Sequence, residues 1–338
     1  MQVLPPESAD CSLFWLDIKD KKILVVLLED MRTPLSQIAR RVGLSRQTVE
    51  YRINKLQEHR VIAGSRAVVN LNALGYHTYH FFLNAKTLAE EQEIIARAKQ
   101  FDAVNVIISY TGRWSLELSI IARTPDEFIA LSEALFSDFP VDVAGQMLLI
   151  RTIKSTVLPP AFLGQSFPLP RSKKTIAAAV DEKDLHLIEM LSDDATKPVA
   201  LLAKQTTLST DAVLYRLKKL CRSAHIIEFR PIVNYAALGL SIHTLLLKVS
   251  GSAAAIHKLE LFLQESVATI WIAKAFGDWN YIIFIAAATM DAVHEFILLV
   301  KSRFSGILRE YEALYAYKEH KYTYYSRAIR KDFSAKKS

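Results

Sequence analysis

An α+β chain built twice from one plan is what this sequence predicts, and three observations predict it. The stretch Asp17–Gly75 aligns without a gap on Asp181–Gly239 at a constant offset of 164, with 21 of the 59 paired positions identical. In each copy, apolar residues first recur at helical spacing and then alternate at strand spacing. The elements that follow the change come in the same order both times. A period this long is too large for a solenoid array, so the chain reads as a tandem of two whole modules.

Each element of copy one has a local reason. Asp17 and Asp20 suit a helix start by capping and by the dipole, and Ile23, Leu24, Leu27 and Leu28 form its apolar face as far as Asp30. Thr33-Pro34 supplies a cap and a first-turn proline for a short helix, Leu35 to Val42. Gly43 is placed for a left-handed turn, Leu44 plugs the core, and Ser45 caps a third helix, Arg46 to Arg60. Val49, Ile53 and Leu56 point that helix inward; packing is also the reading for Tyr51 and its counterpart Tyr215. Val61 to Asn70 alternates like a small β-wing. Downstream come a strand (Tyr76–Ala85), a helix (Leu88–Gln100), two strands split at Gly112, a helix (Pro125–Phe136) and a last strand (Val143–Ile153). Copy two repeats this from Ser241 to Tyr317, with its hairpin at Gly277.

The order βαββαβ defines a ferredoxin-like sheet with helices on one face. The other face needs a cover, and the sister sheet is the simplest one. The predicted organisation is an N-terminal extension (1–16), a winged helix-turn-helix (17–70), a ferredoxin-like sensor and dimerisation domain (71–156), a Pro-rich linker (157–180), a second winged helix-turn-helix (181–234), a second sheet domain (235–325) and a basic, disordered tail (326–338).

The net charge of +7 is unevenly placed. Asp17–Gly75 holds 11 Lys/Arg against 6 Asp/Glu, whereas Asp181–Gly239 holds 8 against 8. A basic module suits a polyanion. No apolar run reaches the roughly 18 to 20 residues of a membrane span, and the start lacks the basic segment of a signal peptide. Two cysteines, Cys11 and Cys221, make neither a disulfide framework nor a zinc cluster. A cytoplasmic protein with no membrane contact is expected.

The capped stretch LSRQTVEYRINKLQEHRVI, the wing running into VVNLNALGY and the βαββαβ domain with a glycine hairpin together resemble the Lrp/AsnC family of leucine-responsive, or feast/famine, regulators. LSTDAVLYRLKKLCRSAHII, IVNYAALGL and AFGDWNYIIFIAA carry the resemblance a second time. It implies a one-component transcriptional regulator that binds double-stranded DNA, pairs through its sheet domains and senses a small molecule such as an amino acid. The fusion would supply an internal pseudo-dimer. Where the family hairpin runs Gly-x-x-Asp, this chain has Gly112-Arg113-Trp114-Ser115 and Gly277-Asp278-Trp279-Asn280, which puts the usual amino-acid effector in doubt.

Reading a major groove takes long donors near the start of the third helix. Arg46 and Gln47 fit that role behind the Ser45 cap; Arg52 and Lys55 can reach phosphates, as can Arg40 and Arg41 on the second helix and Arg66 on the wing. In copy two, Thr210-Asp211 replaces Arg46-Gln47 and Thr207 replaces Gly43, so the second reader looks weakened. The effector candidates are Gly112, Trp114, Ser115, Gly277, Trp279 and Asn280, beside a plainer reading as turn glycines and core aromatics. His77 and His80 lie three apart on a strand and face opposite sides, and no metal or nucleophile motif is present. A regulator that is not an enzyme, needs no cofactor and forms a homodimer or larger even oligomer is therefore expected. The alternative is a sirohaem-decarboxylase-like enzyme, which resembles the same fused fold and would use histidine and basic or tyrosine residues between its sheets.

Overall fold

The computed structural model describes residues 13–138, 142–163 and 179–335. Copy one opens with α1 (Ile18–Glu29), α2 (Leu35–Val42) and α3 (Arg46–Glu58), then β1 (Ile62–Val69). Its sheet domain comprises β2 (His77–Asn84), α4 (Leu88–Gln100), β3 (Val104–Thr111), β4 (Leu116–Ala122), α5 (Pro125–Phe136) and β5 (Asp142–Ser155). A single turn, α6 (Pro160–Leu163), follows within the expected linker, of which residues 164–178 lie outside the described ones. Residues 1–12 of the expected N-terminal extension lie outside them too. Copy two repeats the plan with α7 (Glu182–Asp193), α8 (Val199–Thr206), α9 (Thr210–Arg222), β6 (Ile226–Val233), β7 (Ser241–Val249), α10 (Ala253–Glu265), β8 (Thr269–Gly277), β9 (Tyr281–Ala287), α11 (Met290–Phe304) and β10 (Leu308–Tyr322).

Caps explain most boundaries. Asp17 and Asp181 each form a capping box, with Asp20 and Asp184 as the reciprocal partners. The cap of α2 differs from the reading. Pro34 itself is the N-cap, and the Thr33 hydroxyl instead donates to the Asp30 carbonyl at 2.7 Å. The turns after α2 and α8 are both left-handed, at Gly43 with φ +66° and at Thr207 with φ +52°. A β-branched residue is strained there while glycine is not. Thr207→Gly is therefore expected to raise unfolding stability by about 1 kcal/mol, seen as a higher midpoint in a thermal melt.

The wings are not free. β1 and β6 pair antiparallel with Arg66 opposite Arg230, equivalent positions of the two copies, so a pseudo-twofold axis runs through the centre of this ribbon. The helices cross over it: α1 packs on β6, and α7 packs on β1. Backbone bonds sew the modules together, Met31 N–H to Phe229 O at 2.9 Å and Asn234 N–H to Val61 O at 3.1 Å among them.

The eight remaining strands form a closed barrel in the order β10-β3-β4-β2-β5-β8-β9-β7. The two sheets face each other across a shared apolar interior, as the alternation predicts. They are also joined at both edges, β5 to β8 and β3 to β10, which abolishes the open edges a single sheet would leave. Outside, α4 and α5 cover one sheet and α10 and α11 the other, each over its own apolar layer. The expected disordered tail is in fact a helix, α12 (Arg327–Ala335), seated on α7 by Ile329, by an Arg330–Glu189 ion pair at 2.8 Å and by neighbouring Tyr325. No helix among the described residues is long and apolar enough to cross a membrane.

Candidate functional site

The first helix-turn-helix and its wing display the basic and polar residues the sequence promised, with two exceptions. Ser45 caps α3 through the Thr48 N–H at 3.1 Å, which sets Arg46 and Gln47 at the exposed tip. Tyr51 and Asn54 continue that outward face, one and two turns on. Tyr51 is 66% exposed and Tyr215 71%, so the packing role expected for them is corrected: Val49, Ile53 and Leu56 alone carry the core contact of α3. Arg40 is exposed; Arg41 is exposed as well and makes a two-pronged ion pair with Glu29 at 2.6 and 2.9 Å. Lys55 lies over the Phe14 ring at 5.7 Å.

The exceptions are Arg52 and Arg66. Arg52 donates to Asp17 and Asp20, both at 2.7 Å, and Arg216 does the same to Asp181 and Asp184 at 2.8 and 2.7 Å. Both arginines lock the third helix of their module to the capping box of the first, which accounts for their presence in both copies. Arg66 points toward the barrel, where it donates to the Tyr322 carbonyl. On α9 the outward residues are Thr210, Asp211, Leu214, Tyr215 and Lys218, a face with an apolar side chain and a carboxylate where α3 has Glu50 and Gln47.

The hairpin residues occupy the closed end of the barrel. Trp114 and Trp279 are buried and meet edge to face at 5.9 Å, with Phe82 against Trp114 at 5.0 Å. Gly112 and Gly277 both have positive φ, +148° and +137°. Ser115 Oγ accepts from the Ala85 N–H at 3.2 Å, and Asn280 Oδ1 accepts from the equivalent Val249 N–H at 2.8 Å. Each therefore closes off a strand end, work that needs an acceptor but no carboxylate.

A second site lies at the other end of the barrel, toward the ribbon. A cleft of about 750 Å³ is bounded by residues of both sheets, by ribbon residues of β1 and β6, by Tyr322–Tyr324, and on one side by His257, Glu260, Leu261 and Gln264 of α10. In its wall His80 Nδ1 lies 2.6 Å from Glu117 Oε1, and the Tyr110 hydroxyl behind donates to Glu117 Oε2 at 2.5 Å and meets Thr244 Oγ1 at 2.9 Å. Glu117 is fully buried and Tyr110 is buried. Burial, and then the neighbouring Glu117 charge, push the Tyr110 phenol well above its ordinary range. The outer nitrogen of His80, Nε2, has no partner among the described residues, nor has Nε of Arg230. Lys154, also in the wall, is held by Ser266 O at 2.6 Å and Thr269 Oγ1 at 3.0 Å, and burial pulls it down to about 8.

Sequence reasoning set His80 aside because it was weighed only as half of a metal pair. Comparison of the copies carries the missing signal. β2 pairs with β4 as β7 pairs with β9, and the turn bonds Tyr110 N–H to Ser115 O and Ala275 N–H to Asn280 O correspond. Copy two therefore has Thr244, Ile282 and Ala275 where copy one has His80, Glu117 and Tyr110.

Residues 16–57 and 180–220 match the AsnC-type helix-turn-helix domain. The Regulatory protein AsnC of Haemophilus influenzae is 30% identical over 110 residues, 32% of this chain and 73% of that protein. The HTH-type transcriptional regulator FL11 of Pyrococcus abyssi is 28% identical over 141 residues, 42% of this chain and 93% of that protein. Over the whole tandem, the crystal structure of the siroheme decarboxylase NirDL superposes with a TM-score of 0.64 at 14% identity, covering 94% of this chain and 97% of that one. This likeness concerns the fold, and it overturns one expectation. The exclusion of an enzyme does not stand, because the same two-copy architecture is that of a known decarboxylase. With a matching relative covered over most of its length and the helix-turn-helix present twice, the chain belongs to the Lrp/AsnC family, as a tandem fusion of two of its units.

Proposed function

We propose that this chain is a sequence-specific DNA-binding transcriptional regulator in which the first helix-turn-helix does most of the reading. The observation that carries this reading is the outward face of α3, where Arg46 and Gln47 stand exposed behind the Ser45 cap with Tyr51 and Asn54 beside them. Long donors at that tip can reach base edges, while Arg40, Arg41 and Lys55 flank them as phosphate contacts. Arg52 and Arg66 have intramolecular work and drop out of the DNA-contacting set. A pseudo-dimer offers one strong and one weak reader, so two chains would bring two copies of α3 to a pseudo-palindrome, and an even oligomer follows.

Arg46→Ala with Gln47→Ala is expected to weaken operator binding by roughly a hundredfold, at about 1–3 kcal/mol per base contact. Thr210→Ala with Asp211→Ala should change it by less than about threefold. Gel-shift titrations at fixed salt decide this; equal losses for the two pairs would defeat the asymmetric reader.

A second reading is favoured by one observation, the buried His80–Glu117–Tyr110 set facing a chamber within a decarboxylase-like fold. On that reading the chamber accepts a tetrapyrrole, the class of ligand present in the solved complex of the siroheme decarboxylase NirDL with an iron-uroporphyrin III analogue. Addition of an iron porphyrin to the purified chain would then shift the porphyrin's absorption band at one equivalent. A spectrum equal to the sum of the two components leaves the regulator reading alone.

A further inference from the structure

Module two keeps the shape of a DNA reader but has changed its surface. Ser209 caps α9 through the Ala212 N–H at 3.2 Å, as Ser45 caps α3, and Val213, Leu217 and Leu220 point inward like Val49, Ile53 and Leu56. At the constant offset of 164, Gln37, Arg41, Arg46, Gln47 and Glu50 have become Leu201, Gln205, Thr210, Asp211 and Leu214. Leu201 is 39% exposed and Leu214 51%, with the open ring of Tyr215 next to Leu214. A single exposed leucine means little. Two of them in place of a glutamine and a glutamate, over an unchanged core, mark a change confined to the surface.

That surface suits protein better than DNA. Leucine cannot donate to a phosphate, and Asp211 at the helix tip repels one. An apolar patch rimmed by polar groups is the pattern of a protein contact.

The outward face of α9 is also complementary to itself. Asp211 and Lys218 are both exposed and lie about two turns apart on one stripe, with Leu214 and Tyr215 between them. A second α9 laid antiparallel across this face sets Asp211 against the partner's Lys218, and Lys218 against the partner's Asp211. The leucine and tyrosine then meet their own copies at the centre, as an isologous interface requires. The face of α3 cannot pair this way, because Glu50 would meet the partner's Glu50, like charge on like.

We propose that the second helix-turn-helix is a dimerisation surface whose occupant is the α9 face of a second copy of this chain. The pseudo-twofold axis through the ribbon relates α3 to α9, so pairing at α9 leaves α3 of each chain uncovered. That the two free α3 helices read DNA rests on the regulator reading; the contact between chains does not. One helix face a side makes a small interface, so a dissociation constant of roughly micromolar or weaker is expected. The charges set the register more than the strength, since exposed ion pairs add little. Removing Asp211 therefore matters less than reversing it.

Sedimentation equilibrium of the full chain, without DNA and from micromolar to near-millimolar concentration, tests the contact. A reversible monomer–dimer equilibrium is expected. Leu214→Glu, which restores the residue type of copy one, should weaken it tenfold or more, as should Asp211→Lys, which meets the partner's Lys218. Asp211→Lys with Lys218→Asp should bring the dimer back, because the exchanged charges pair again. All three side chains are exposed, so the fold is expected to survive each change, as circular dichroism checks. A chain that stays monomeric throughout, association indifferent to Leu214→Glu or Asp211→Lys, or a charge exchange that fails to restore it would each overturn the proposal. Lost DNA affinity in Leu214→Glu on an unchanged monomer would assign the face to DNA instead. Mass is read without DNA, so a failure of operator binding leaves this result standing.

Discussion

Gly277→Ala is expected to open one seam of the barrel, whereas Gly112→Ala costs much less. Both glycines have a φ that side chains rarely adopt. What separates them is what a Cβ would meet. At Gly277 it would lie 3.0 Å from Met147 Cα and closer still to the Gln146 carbonyl oxygen, the backbone of the strand that pairs with β8. Backbone cannot turn aside, and Asp278 ties the same place by accepting from the Gln146 N–H at 2.7 Å. At Gly112 the nearest atom is Leu314 Cδ2, 2.8 Å away, the far end of a flexible side chain. A loss of about 3 kcal/mol or more is expected for Gly277→Ala, and about 1–2 kcal/mol for Gly112→Ala. Denaturant unfolding of the two variants checks the difference; equal losses would show that the seam gives way easily.

Glu117→Ala is expected to cost about 3–5 kcal/mol, because it strands His80 Nδ1 and leaves the buried Tyr110 hydroxyl with Thr244 alone. His80 Nδ1 and the Tyr110 hydroxyl both depend on this fully buried carboxylate. Glu117→Gln keeps the shape and part of the bonding, and about 1–2 kcal/mol is the expected loss. Replacing the set together, His80→Thr, Glu117→Ile and Tyr110→Phe, should recover most of the stability, since no charge is then left buried and only hydroxyls, that of Thr244 among them, need new partners. Urea titrations of the three proteins order them; a triple variant less stable than Glu117→Ala would show that the network holds the barrel together.

Local elements were legible because their causes are local. α2, α4 and α5 fall where periodicity, caps and glycine turns put them. β5 and β10 run longer than their alternation suggests, since they are extended by pairing with β8 and β3, and no pattern within a strand encodes a partner more than a hundred residues away. The same reason hid the roles of Arg52 and Arg66: a basic side chain shows its charge in the sequence, but not whether an aspartate or a carbonyl awaits it. The tip of α3 was legible because the Ser45 cap fixes where the helix begins. The chamber was not, because His80, Tyr110 and Glu117 come from three different strands and become neighbours only when the sheet forms.

Fusion also changes what a substitution means for this fold. In an assembly of two identical chains, every inward side chain of the barrel appears twice, related by the axis, so a buried histidine–carboxylate pair on one side forces another opposite it. The peptide linking the halves removes that constraint. A barrel with Glu117 on one wall and Ile282 at the matching place on the other is closed to two identical chains; it needs halves of different sequence, which the fusion keeps together in fixed pairing. Handedness of the interior, a distinct front and back for whatever enters it, thus comes from the divergence of the two halves and would vanish if both were copies of one sequence.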